Sequence, residues 1–193
     1  MKKFISTLTA ILLFATGAVL WAQEEQPQQG GPPPKPKFGP ELAKLSFLVG
    51  NFTSENISYD TPMGKGGPGK GRNMNRWGLD SLYVMANYEG TMAALGDYKG
   101  HGMFTYDVQS QQYKCWWFDN HGNQSEYTGN FIGDTLALES ELVTPQGSLK
   151  ERIRWHREGK KVKFRMVWDM GQGPVPVMEE TAIPSGATTG RKK

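Results

Sequence analysis

The chain has 193 residues, 37% hydrophobic, 11% aromatic and 21% charged, with 24 Gly, 12 Pro and a single Cys. That length suffices for one domain with a core and falls short of two, and one Cys excludes an intrachain disulfide, a cysteine-based zinc site and an iron–sulfur cluster. The net charge of +3 includes Lys2 and Lys3 of a segment expected to be removed; without them 22 − 2 basic residues face 19 acidic ones, a balance with no footprint for nucleic acid or an anionic membrane surface.

Met1-Lys2-Lys3 is a basic start, Phe4 to Leu20 is apolar, and Leu20-Trp21-Ala22 is an imperfect small-x-small cleavage pattern. Residues 1–22 therefore read as a secretory signal peptide. The competing reading is an uncleaved anchor, because residues 4–23 carry no charge and are long enough to span a bilayer. Ser6, Thr7, Thr9, Thr16 and Gly17 dilute the stretch and no basic cluster follows it, which favours cleavage. No Cys follows the apolar run, so a lipoprotein anchor is excluded. The mature chain is expected in the periplasm or secreted, without stable membrane insertion.

Residues 23–39 are rich in Gln and Pro and lack a hydrophobic period, the composition of a disordered linker. Residues 185–193 form a small polar tail of the same kind. The folded unit is expected over 40–184.

Pro40-Glu41-Leu42-Ala43-Lys44-Leu45 is the single helix candidate, with Pro at the start and Glu in the first turn. After it the period is two. Leu82, Val84 and Ala86 alternate with their neighbours, as do Phe104 and Tyr106, then Tyr113, Cys115 and Trp117. Leu136, Leu138 and Leu142 oppose Thr135, Glu139 and Glu141. The clearest run sets Val162, Phe164, Met166, Trp168 and Met170 against Lys163, Arg165 and Asp169. Gly90, Gly96, Gly100, Gly122, Gly133, Gly147 and Gly159 punctuate the runs. About nine or ten strands with short connections favour an all-β, antiparallel, up-and-down β-barrel, since a sheet of that size curls or closes. A β-sandwich is the alternative.

Leu45/Leu48/Gly50/Phe52, then Gly102-Met103-Phe104-Thr105-Tyr106-Asp107, then Tyr113-Lys114-Cys115-Trp116-Trp117-Phe118-Asp119 follow the order of motifs in the bacterial family catalogued as domain of unknown function 1579. The chain resembles that family over about residues 40–182, and its opening is similar to that of lipocalin and calycin barrels. Phe52 stands where those barrels carry Trp. The resemblance implies a calycin-like barrel and no established chemistry.

Gly64-Lys65-Gly66-Gly67-Pro68-Gly69-Lys70-Gly71 approaches a phosphate loop but ends in Gly where Ser or Thr would hold magnesium, and Pro68 removes a donor. It reads instead as a flexible loop between the first two strands, free to act as a lid. His101, His121 and His156 show no metal spacing and read as turn and surface residues. A two-His site, or a single haem ligand as in relatives of this barrel class, stays open where distant strands converge. No metal or cofactor is assigned. Cys115 reads as a buried apolar filler. Glu179 and Glu180 point opposite ways on one strand. Asp119, which ends a strand, reads as turn chemistry or as a base with a raised pKa.

Together these features favour an exported small-molecule-binding protein. Phe52, Tyr106, Trp117 and Asp119 are expected at the barrel mouth, beneath the Gly64–Gly71 loop, with Phe164, Met166 and Trp168 on the inner wall. Ligand identity is not legible. An envelope enzyme using Asp119 and Tyr106 as acid and base, or a structural, partner-binding envelope protein, are the alternatives.

Overall fold

The computed structural model describes residues 37–62, 64–144 and 147–186. The expected signal peptide, most of the linker and the end of the tail lie outside the described residues.

Pro40–Ala43 forms α1, with Pro40 and Glu41 in the first turn as the sequence predicts. The chain then tightens into a 3-10 turn over Lys44–Leu48, three residues beyond the expected helix end, and buries Leu42, Leu45 and Leu48. Ten strands follow: β1 (Gly50–Ser58), β2 (Gly67–Gly78), β3 (Tyr83–Met92), β4 (Gly96–Asp107), β5 (Gln112–Asp119), β6 (Gln124–Ile132), β7 (Thr135–Thr144), β8 (Gly147–Glu158), β9 (Lys161–Asp169) and β10 (Pro174–Pro184). Each pairs antiparallel with the next, and β10 closes on β1. The result is a closed up-and-down barrel, which leaves no strand edge free to pair with another chain.

Alternation carries the core inward. Val84 and Ala86 on β3, Phe104 on β4, Tyr113 and Cys115 on β5, Leu136 and Leu138 on β7, Ile153 on β8 and Val162 on β9 form one buried cluster. The outward positions hold charge, as in the Arg72–Glu89 and Arg165–Glu179 ion pairs at 2.6 and 3.5 Å. Met170 carries the expected stripe past the end of the strand. β9 ends at Asp169, and Met170, beyond the last pleat, is 55% exposed.

Because successive hairpins alternate between the two ends, the 3-10 turn entering β1 shares its end with the β2–β3, β4–β5, β6–β7 and β8–β9 connections. It plugs that end. The Tyr113 hydroxyl reaches the Glu41 carboxylate at 2.8 Å, Asn75 Nδ2 donates to the Leu48 carbonyl at 2.8 Å, and Phe47 packs edge-on to Phe131.

The glycine-rich run is the main departure from expectation. It is not a lid: Gly67 to Gly71 are the first residues of β2, paired to β1 on one side, with Lys70 and Gly71 paired to β3 on the other. The connection is confined to 59–66, where Asp60 accepts from the Gly66 N–H and pairs with Lys65. Glycine is needed here for close approach. A β-carbon on Gly69 would collide with the Thr91 carbonyl and Asn56, and one on Gly71 with the Tyr88 ring and hydroxyl. Side chains from neighbouring strands occupy the space that residues 69 and 71 leave free.

Candidate functional site

The barrel encloses a cavity of about 590 Å³, within the range that holds a small organic ligand. Its lining runs from Leu48 and Phe52 beside the plug to Pro62, Leu95, Asn123 and Met170 in the turns at the opposite end. That opposite end is the mouth.

Six of the seven expected residues line this cavity: Phe52, Trp117, Asp119, Phe164, Met166 and Trp168. They sit at different depths. Asp119 is at the mouth, Phe52 near the plug, and Phe164, Met166 and Trp168 climb the β9 wall between them. Tyr106 is not part of the lining. It pairs with Tyr113 in the β4–β5 ladder and packs against that ring at a tilt, with a centroid distance of 5.0 Å, at the plugged end. Tyr106 and Asp119 therefore do not meet as an acid–base pair.

Trp117 is held flat by the strand beside it. Gly102 is its register partner, and β-carbons on Gly100 or Gly102 would collide with the indole. The indole Nε1 donates to the Tyr98 hydroxyl at 2.8 Å, and that hydroxyl donates to Asp119 Oδ2 at 3.3 Å. Asp119 also accepts from the His121 and Asn123 backbone N–H groups at 2.9 and 3.0 Å and from Asn123 Nδ2 at 3.0 Å. Burial works to raise its pKa, but these donors outweigh burial and the net shift is downward. Asp119 is thus an ionised turn anchor at the mouth; the raised-pKa alternative does not hold. Burial pushes the Tyr98 hydroxyl up and keeps it neutral.

Two further polar centres face the cavity: Glu151, which is not among the residues expected from sequence, and Glu180, expected only to point opposite to Glu179. On β8, Glu151 is 7% exposed; it accepts from the Tyr127 hydroxyl at one oxygen and from Trp168 Nε1 at the other, the latter at 2.5 Å. On β10, Glu180 accepts from Asn73 Nδ2 at 2.8 Å, and burial raises its pKa against that hydrogen bond. Beside it, Tyr88 accepts from Asn56 Nδ2 at 2.9 Å; burial, then the charge of Glu180, push its pKa up to about 12. Parity could have found Glu151, since it lies two residues before Ile153 on the same face. Glu180 shares the face of Met178 and Ala182 in the same way.

The three histidines lie elsewhere. His101 is half-buried against Asn87 Oδ1 at 2.8 Å, His121 stacks on Tyr98 from the β5–β6 turn, and His156 is exposed on β8. None lines the cavity, so none is placed to ligate a haem iron inside it. Among the described residues no group of three or more His, Cys, Asp or Glu could hold a metal ion, and no helix is long and apolar enough to cross a membrane.

The crystal structure of Rv2717c from M. tuberculosis is similar in fold, with a TM-score of 0.56 over 77% of this chain and 99% of that one, at 14% sequence identity. No curated protein matches the sequence. The model of the family described as protein of unknown function (DUF1579) matches residues 38–176, and the chain belongs to that family.

Proposed function

We propose that this is an exported protein that binds a small, partly apolar molecule in its barrel. The observation that carries the reading is the cavity itself: about 590 Å³, walled by aromatic and Met side chains, with buried polar groups converging on it. Aromatic faces such as Trp117 and Trp168 supply contact area at little entropic cost, and Met166 and Met178 adapt to shape. A barrel selected only for stability would fill its interior to crystal-like density. Export rests on the basic start, apolar run and small-residue site of residues 1–22.

Native mass spectrometry of protein purified from the cells that make it tests binding. A bound small-molecule mass, released on denaturation, is the expected result. The reading is overturned if the protein carries nothing and a metabolite panel gives no saturable change in tryptophan emission. N-terminal sequencing tests export: loss of residues 1–22 is expected, and retention of Met1 with membrane association overturns it.

A further inference from the structure

Charge in the cavity wall is one-sided. Three carboxylates reach it, Asp119 at the mouth and Glu151 and Glu180 deeper, and no Lys, Arg or His is among the described residues that line it. Glu151 has both oxygens satisfied by neutral donors, Tyr127 and Trp168, and no cation within ion-pair reach among the described residues. A buried carboxylate without a counterion is costly. One orphan acceptor lies in the same wall. Asn75 Oδ1 in the lining is a buried acceptor without a donor among the described residues.

Resting on the reading of the cavity as a ligand site, we infer that its ligand is a protonated organic amine with an apolar body. The ammonium N–H groups donate to an acceptor-rich wall, and the positive charge is the counterion that Glu151 lacks. The rings of Tyr127 and Trp168, held beside Glu151 by its own hydrogen bonds, line the cavity where a cation can meet them. A carboxylate ligand would meet the same three acids as repulsion, which makes the wall selective as well as attractive.

The test uses three probes with one apolar body and different heads: octylamine, octanol and octanoate, each titrated into the full chain at neutral pH, read by tryptophan emission and calorimetry. Octylamine is expected to bind at least about tenfold more tightly than octanol, with octanoate weakest. In Glu151→Gln the ratio of octylamine to octanol affinity should fall by about tenfold, and Glu180→Gln should lower it as well. The wild-type comparison decides the matter even if a variant fails to fold. Octanol or octanoate binding as tightly as octylamine overturns the amine and leaves the cavity reading standing. No saturable response to any probe overturns both.

Discussion

Glu151 and Trp168 are register partners across β8 and β9, and the indole Nε1 donates into the carboxylate. The bond ties a cavity-facing ring to a buried carboxyl group, so neither side chain is free to collapse into the cavity. Shape and electrostatics of the inner wall are thus one feature, built from one cross-strand pair.

Trp168→Phe keeps an aromatic ring and deletes the donor, leaving one buried Glu151 oxygen unsatisfied. It should cost about 1–3 kcal/mol in urea unfolding. Trp168→Ala loses the ring as well and should cost about 3 kcal/mol, the low end for a large aromatic because one face already looks into the cavity. A loss below about 0.5 kcal/mol in both would place Trp168 outside the wall.

Gly100→Ala tests the seat of Trp117. The added methyl meets the indole, so the ring must leave its plane and its bond to Tyr98. A loss of about 1–3 kcal/mol is expected, with a shift in tryptophan emission, as for overpacking elsewhere. Unchanged emission and stability would mean that the indole does not lie on Gly100.

How much of this was readable without coordinates follows from what parity can and cannot say. Val162, Phe164, Met166 and Trp168 announced their shared face because antiparallel strands of a closed barrel keep one side wet and one side buried. Parity gives the face and says nothing of depth. Tyr106 shares a face with Gly102, the partner of Trp117, yet lies four residues along β4, about 13 Å toward the plug at strand rise. Gly69 and Gly71 misled for a different reason. Glycine is read as a breaker from local preference, whereas here Asn56 and Tyr88 on other strands fill the missing volume. The Tyr127–Glu151–Trp168 cluster draws on three strands, with Glu151 and Trp168 paired by register and Tyr127 reaching across β7 from β6, which no single segment encodes.

Glu180 makes stability depend on pH in a defined direction. Its pKa is raised above the ordinary 4.5 by burial, so the folded state holds the proton more tightly than the unfolded chain. Its contribution is fully present below the unfolded value and is lost as pH rises through the folded value, because the unfolded carboxylate ionises first and gains hydration. The stability of wild type relative to Glu180→Gln, followed by urea unfolding from about pH 4 to about pH 8, should therefore fall with rising pH. A difference that is flat or rises with pH would show that Glu180 is not the buried acid of this wall.

Cys115 is 1% exposed, and burial pushes its thiol pKa up. The reactive species is the thiolate, so the folded protein should react with a thiol reagent such as dithionitrobenzoate only at the rate at which the barrel opens. Addition of denaturant should release one rapid equivalent. Fast labelling of the folded chain would mean that the cavity admits the reagent down to β5.

The plug at the closed end depends on Tyr113. Its hydroxyl lies 2.8 Å from the Glu41 carboxylate and 3.0 Å from the Glu41 carbonyl, so one side chain of the barrel wall fixes both the side chain and the backbone of α1. Tyr113→Phe keeps the ring contacts with Tyr106 and Phe131 and removes this clamp alone. Lys44 and water still serve Glu41, so the cost should be modest, about 1 kcal/mol in unfolding. The local effect should be larger than the global one. Amides of residues 42–49 should exchange with deuterium faster, while those of β8 and β9, which the plug does not hold, keep their wild-type protection. Uniform acceleration around the whole barrel would instead mean that the Tyr113 hydroxyl has no separate hold on the plug.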